Sequence, residues 1–413
     1  MKRVLILIAG ALVLIGLLVG AYFLFFAGNG TGLTATPGGT FGTADDRAGG
    51  LGAVTDTGVP VSGAGTQVAP RLLQLSSAPV AKGAFSLYTP AQTATASSST
   101  ATGTPETVVT VPEETEVRYI DRQSGNVYSF RIHERVMTRL SNKTLPGIEE
   151  ANWSRSGDRA FVRFLEGVGD GQERISTFML PANGEGGYFL EQDIEQVLVA
   201  STSIVTRTAS GSGSSVASAS LDGTGAVSLF TSPLRSIMLS YFGSGFIATT
   251  KPSASLDGYS FSVDRAGSFT RLLGPLAGLS TLASPDASRV LYTYSDRGKI
   301  VTQVLSLADR TTVPLPLATL PEKCVWSSDS ATLYCGVPTA LTGTLPDDWH
   351  QGARAFSDRI WKIDLATRVA TLVFDPVQLA DTQIDAISLT LDNANDVLVF
   401  MNKTDGSLWS YDL

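Results

Sequence analysis

Two cysteines, Cys324 and Cys335, flank the turn Ser328-Asp-Ser-Ala331, with three residues between each of them and the turn. On a β-hairpin that spacing sets them opposite each other, where cross-strand Cβ atoms lie about 4.5 to 5.5 Å apart, near what a disulfide needs. Outside the cytoplasm such a pair is expected to be oxidised. Two small buried side chains that never bond is the alternative reading, and a metal pair would lack a nearby histidine. The chain has only two histidines, His133 and His350, so a Ser-His-Asp arrangement would have to use one of them. Gly-x-Ser-x-Gly is absent, and Gly211-Ser-Gly-Ser214 is a polar run without the strand-turn-helix context of a hydrolase. The adjacent carboxylates Glu113-Glu114, Glu149-Glu150 and Asp347-Asp348 point apart on a strand or are solvated in a loop. Asp121 to Asn126 lacks the alternating oxygen ligands of a calcium loop. No catalytic residue, metal or cofactor is assigned. The residue types best suited to gripping a partner lie between Leu341 and Phe356. There Trp349, His350 and Arg354 combine an aromatic anchor with groups that recognise acidic partners; capping of its own blade edge is the competing role for Trp349.

The elements that must position these residues repeat. A strand, a Ser/Asp/Gly-type turn and a second strand recur about every 43 residues, a period that signals stacked structural units. The clearest copies are Leu279 to Tyr294 and Cys324 to Cys335, with Asn152 to Arg163 and Ile387 to Val399 beside them. Alternation and turn residues place the inner strand, A, of successive units near Val80, Glu149, Ile194, Ser236, Leu279, Glu322 and Ile384. Strands B, C and D follow in each unit, as in Arg289 to Tyr294, Lys299 to Ser306 and Thr311 to Pro316. Tight-turn signals such as Ser295-Asp-Arg-Gly298 and Lys403-Thr-Asp-Gly406 join B to C. The period is broken twice, by a loop over 90–112 and by an insertion over 336–357 that joins B to C and carries Trp349. The last unit lacks a D strand, and Arg71 to Leu75 matches the D strands at Thr138 to Ser141 and Thr270 to Leu273. This predicts an all-β, seven-bladed β-propeller over residues 71–413 that is closed by an N-terminal strand, with six and eight blades as neighbouring counts.

Ahead of the repeat, residues 4–26 carry no charge and would make roughly 34 Å of helix, enough to cross a hydrocarbon core of ~30 Å. Lys2 and Arg3 precede this stretch and the next charges are Asp45 and Asp46, so residues 1–3 are expected in the cytoplasm and everything beyond the span outside. A cleaved signal peptide is the alternative; its apolar region is usually shorter. Absence of a following cysteine excludes a lipoprotein anchor. Gly16 and Gly20 form a small-xxx-small pair that would let two spans pack, although glycine is common in membrane helices. Residues 27–70, rich in Gly, Thr, Ala and Pro, read as a flexible linker. The net charge is −8 and charged residues make up 16%, which argues against a nucleic-acid partner. The sequons at Asn29, Asn142, Asn152 and Asn402 carry no functional weight here.

The repeats containing Ser284-Pro-Asp286, Trp326-Ser-Ser-Asp329 and Trp153-Ser-Arg-Ser-Gly157 resemble the W-S-P-D-G signature of TolB-type, WD-repeat-like bacterial β-propellers. No blade holds the signature intact, the third and fourth lack it, and the seventh has Leu391-Asp392-Asn393. The resemblance spans 71–413 and implies an envelope component that binds other proteins. Together these readings describe a non-catalytic, single-pass protein, anchored in the bilayer through residues 4–26, whose extracytoplasmic propeller binds a protein or glycan. The competing class is an enzyme, a lyase or glycan hydrolase, at the channel mouth. That class calls for charged residues at the A-strand starts, and the A strands at 197–200, 237–240 and 280–283 are apolar and small.

Overall fold

The computed structural model of the protein describes residues 70–95, 108–169, 172–191 and 193–413. The expected span over 4–26, the pair Gly16 and Gly20, and the linker up to residue 69 lie outside the described residues. Among the described residues no helix is long and apolar enough to cross a membrane.

Seven four-stranded antiparallel sheets follow one another along the chain, a seven-bladed β-propeller. The inner strands of blades 1 to 7 are Phe85–Thr89, Ile148–Trp153, Ile194–Val199, Ile237–Phe242, Ser280–Ala283, Cys324–Trp326 and Ala386–Leu391. Six of these begin within two residues of the positions read from the repeat. Blade 1 is the correction: its inner strand starts at Phe85 rather than near Val80. Val80 and Lys82 instead make single bridges to Asp121 and, in parallel, to Glu150 of the next blade, so the segment serves as a joint between blades 1 and 2. Blade 7 draws its outer strand from the other end of the chain, since Leu72–Ser76 pairs with Leu408–Asp412. Residues 90–112 are only partly loop. Gln92–Thr95 pairs with Val108–Val111, as expected where β-branched residues face each other across a hairpin, and residues 96–107 between them lie outside the described set. The second insertion loses its first residues to strand B of blade 6, which runs over Thr332–Pro338.

The partial signatures have a structural cause. Ser154, Ser284 and Ser327 each end strand A, and each hydroxyl accepts the backbone N–H five residues on, at 3.4, 2.9 and 2.9 Å, while donating to an aspartate in the same turn at 2.7, 2.6 and 2.6 Å. In blade 7 Asp392 takes the serine's place, its Oδ1 accepting from Asp396 N and Val397 N. The tryptophans tie neighbouring blades: Trp326 Nε1 donates to Leu282 O at 3.3 Å and Trp153 Nε1 to Gly83 O at 3.4 Å. Between the sheets lie apolar clusters, including one of Leu75, Val117, Val397 and Leu408 that spans the closure.

Closure by one short strand makes a direct prediction. Removal of residues 70–77 uncovers the hydrogen-bonding edge of Leu408–Asp412 and the Leu75 side of that cluster, so the truncated protein should aggregate and melt at a lower temperature. A monodisperse truncation with unchanged melting, by light scattering and calorimetry, would refute closure as a stabilising feature.

Candidate functional site

The insertion in blade 6 lies over the end of the central channel where the D-to-A connections and B-to-C turns meet. Its single helical turn, Asp347–His350, is gripped from several blades. From blade 4, Ala254 N donates to Asp347 Oδ2 at 2.5 Å. From blade 7, Lys403 Nζ donates to Trp349 O at 2.7 Å. Between blades 4 and 5, Gly278 has φ +67, and a Cβ there would come within 3.1 Å of Pro346; glycine is what lets the insertion approach. Leu345, Trp349 and Phe356 point inward and join Ile300, Leu320 and Ile387 in an apolar cluster. The insertion is therefore a packed lid.

Beneath the lid sits a cluster of buried charge. Lys323, in the turn before strand A of blade 6, is 0% exposed, Asp358 1% and Asp385 0%. Lys323 Nζ donates to Asp358 Oδ2 at 2.5 Å and to Asp385 Oδ1, and the rings of Trp349 and Phe356 cover it at 5.1 and 5.5 Å. Trp349 Nε1 reaches both oxygens of Asp385, at 3.1 and 3.0 Å, and Phe356 N donates to Oδ2 at 3.1 Å. Asp358 Oδ2 also receives Ala386 N at 2.7 Å, but its Oδ1 is buried without a partner. Taking ions out of water costs several kcal/mol each unless pairing and hydrogen bonds offset it. Asp385 has that support and Asp358 has half of it. Burial accordingly pushes the Asp358 carboxyl up to about 6, against the pull of Lys323 and with help from the Asp385 charge.

Outward of this cluster opens a cavity of about 680 Å³. It is lined by apolar Met238, Leu256 and Ile387 and by the charged or polar Lys82, Lys251, Lys403, Glu322, Asp347 and His350. His350 Nε2 lies 3.2 Å from Glu322 Oε1, which also accepts from Ser280 Oγ at 2.5 Å. Burial raises the Glu322 carboxyl, but the hydrogen bond and charge of His350 and the Ser280 hydroxyl outweigh it and hold the group below its ordinary value. Among the described residues neither Lys82 nor Lys251 has a carboxylate partner.

Trp349 lines the cavity but is 3% exposed, so its main role is to hold the lid down on Asp385. His350 lines the cavity and is exposed, whereas Arg354 is exposed and not part of the lining. The structure thus brings Trp349 and His350 together and leaves Arg354 on the outer side. Cys324 and Cys335 are register partners joined by a disulfide, with Cα atoms 4.1 Å apart. The A strands at 197–200, 237–240 and 280–283 carry no charge, yet charged groups do line the cavity. They come not from the A strands but from the connections beside them: Lys82 and Glu322 just before an A strand, Lys251 and Lys403 in B-to-C turns. The buried triad was missed as well. The one local hint was a charge set inside an apolar run, as in Ile384-Asp-Ala-Ile387.

No family model matches the sequence, and no curated protein is similar to it in sequence. Solved structures share its fold. An oligogalacturonate lyase from Vibrio parahaemolyticus aligns with a TM-score of 0.51 at 8% identity, over 72% of this chain and 86% of that one. The GH74 enzyme of Niastella koreensis aligns at 0.50 and 11% identity over 71% of this chain and 50% of that one. TolB from Acinetobacter baumannii aligns at 0.42 and 10% identity, over 72% and 76%. At these identities the likeness is one of fold alone.

The raised Asp358 sets a pH dependence. Its folded value of about 6 exceeds the ordinary 3.8, so between these values the native state holds a proton that the unfolded chain has released. The stabilising contribution is complete below pH 3.8 and is lost as pH rises through about 6. The carboxylates of Asp158 and Asp286, held low chiefly by Arg159 in the first case and by turn hydroxyls against burial in the second, act in the opposite sense and only at lower pH. Denaturant unfolding of the wild type should therefore show declining stability from pH 4 to pH 6 relative to Asp358→Asn, with parallel profiles refuting the assignment.

Proposed function

We propose that this chain is a non-catalytic, membrane-tethered binding module of the cell envelope that takes an anionic segment of a protein or glycan partner into the lidded cavity at the channel mouth. The observation that carries this reading is the pairing of Lys82 and Lys251, cations without carboxylate partners, with the apolar lining of Met238, Leu256 and Ile387. A ligand with an acidic group and an apolar face would neutralise the first and cover the second. The size also fits, since pockets for small ligands or single chain segments run from about 300 to 1,000 Å³. The fixed lid adds to this: Trp349 is already held by Asp385 and Lys403, so binding would not have to order it. Against a net charge of −8 over the whole chain, the three lysines of the lining outnumber its two carboxylates, Glu322 and Asp347, and Lys82 and Lys251 would guide an anionic partner to the mouth.

A second reading has one observation in its favour. Glu322 and His350, 3.2 Å apart on the cavity wall, are an acid–base pair of the kind used to transfer protons to a bound substrate. On that reading the protein is a lyase or glycan hydrolase acting on the same anionic ligand.

Both readings are tested on the detergent-solubilised full chain. Acidic oligosaccharides and a glutamate-rich peptide should bind in a salt-sensitive way, and Lys82→Glu with Lys251→Glu should weaken binding at least tenfold, or about 1.4 kcal/mol. Unaltered affinity in the double variant would exclude this cavity. Turnover of an acidic oligosaccharide that disappears in His350→Ala would favour the enzyme; binding without turnover favours the module. Capture of partners from crosslinked envelopes should fall in the same double variant, which, unlike a deletion of residues 341–356, leaves the lid over its buried charges.

A further inference from the structure

We propose that Lys323 and Asp385 become joined by an intramolecular isopeptide bond, with Asp358 carrying the protons, so that the mature propeller is covalently cross-linked between blades 6 and 7. The three groups needed for such a bond are an amine, a carboxyl and a proton-transfer acid in mutual contact and away from water. Here they stand together in the most buried charged site of the described residues. Lys323 is also the one lysine among the described residues that takes part in an ion pair; the remaining pairs use arginine or histidine, which do not form this amide.

Each group is held for its part. The amine of Lys323 is fully buried and touches both carboxylates, while Trp349 and Phe356 close over it and keep water from competing as nucleophile. Asp385 is the electrophile. Phe356 N points at its Oδ2 at 3.1 Å, and Trp349 Nε1 spans its two oxygens, 3.0 Å from Oδ2 and 3.1 Å from Oδ1. Oδ2 becomes the oxyanion when the amine adds to the carboxyl carbon, and donors already in place stabilise the developing charge. Oδ1, on the amine side, is the oxygen that leaves. Asp358 is the proton carrier. Its Oδ2 lies 2.5 Å from Lys323 Nζ, its Oδ1 has no other partner, and burial already raises its affinity for a proton.

The step balances without any further reagent. An ammonium and a carboxylate, R–NH3+ and R′–COO−, give an amide and one water. The nitrogen lone pair, freed when Asp358 accepts a proton, forms the N–C bond to Asp385 Cγ. The Cγ–Oδ1 bond then breaks, and Oδ1 leaves as water with the two protons that the nitrogen gives up, both relayed by Asp358. One hydrogen remains on the amide nitrogen, and Asp358 ends in the state in which it began. Nothing is oxidised or reduced. Two of the three buried charges vanish, and Asp358, whose cation is consumed, is then neutralised by a proton from solvent, the form that its burial already favours. The site's neighbours fit the product: Phe356 N and Trp349 Nε1 remain as donors to the amide oxygen.

The test needs no variant to begin with. The purified full chain, reduced and denatured, should have an intact mass lower than its formula mass by one water, and a tryptic digest should contain a branched peptide joining the segments around Lys323 and Asp385 with no cleavage after Lys323. Lys323→Arg and Asp385→Ala should restore the full mass. Asp358→Asn, shown to be folded by circular dichroism, should contain mostly uncrosslinked chain. A wild type at formula mass with normal cleavage after Lys323 would overturn the proposal, as would a water loss that maps to a linear peptide. Full cross-linking in Asp358→Asn would remove Asp358 from the step.

Discussion

The ring depends on one backbone pairing, between Leu72–Ser76 and Leu408–Asp412. A sheet that ends in a bare strand invites further pairing, and seven sheets in a row can avoid that only by bringing the two ends of the chain together. The same pairing sets the geometry of the channel mouth. Val80 N donates to Gly406 O at 2.9 Å immediately beyond the closing strand, which puts the joint carrying Lys82 beside the turn carrying Lys403. Lysines more than 300 residues apart in sequence become neighbours on one cavity wall because the ring closes there. The proximity is felt electrostatically: burial lowers the affinity of Lys403 for its proton, and the charges of Lys323 and Lys82 add to that against the favourable pull of Asp385.

The scaffold was legible in the chain because it is made of local features repeated. A hydroxyl or carboxylate that caps an A-to-B turn must sit at a fixed distance from the strands on either side, so Ser154, Ser284, Ser327 and even Asp392 could be aligned by spacing. The disulfide was legible for the same reason, since register around a four-residue turn decides which residues face each other. Blade 1 was misplaced by a few residues where the contacts stop being local, because Val80 and Lys82 pair with the next blade as well as their own.

The site was less legible, and the reason is burial. Lys323, Asp358 and Asp385 come from three separate segments of two blades, and only Asp385, set in the apolar run Ile384-Asp-Ala-Ile387, hints from its neighbours that it is out of water. A charged residue is ordinarily solvated, so nothing in the sequence marks Lys323 as buried. The lid misled in the other direction. Trp349 has the composition of an exposed anchor, but an indole that can donate to a buried carboxylate gains more by turning inward, where it satisfies Asp385 and shields Lys323 at once. His350, one residue on, faces the opposite way and meets Glu322. One helical turn thus splits its residues between the interior and the cavity.

Lid and ion cluster form a single unit. Without the lid, Asp385 would lose three hydrogen bonds, those from the indole to its two oxygens and that from Phe356 N, and its carboxylate would keep only its pairing with Lys323. Without the cluster, the indole N–H would lose its acceptor, and Trp349 would be held by packing against Leu345, Phe356 and Ile387 and by Lys403. The cavity borders on this unit through Trp349 and Lys403, and Lys403 is anchored to the lid by its bond to Trp349 O. The wall that a ligand would meet is therefore rigid where it rests on the cluster. It is adaptable where Lys82 and Lys251 reach in from exposed connections, so on the proposed reading the lid side would select for shape and the lysine side would attract charge.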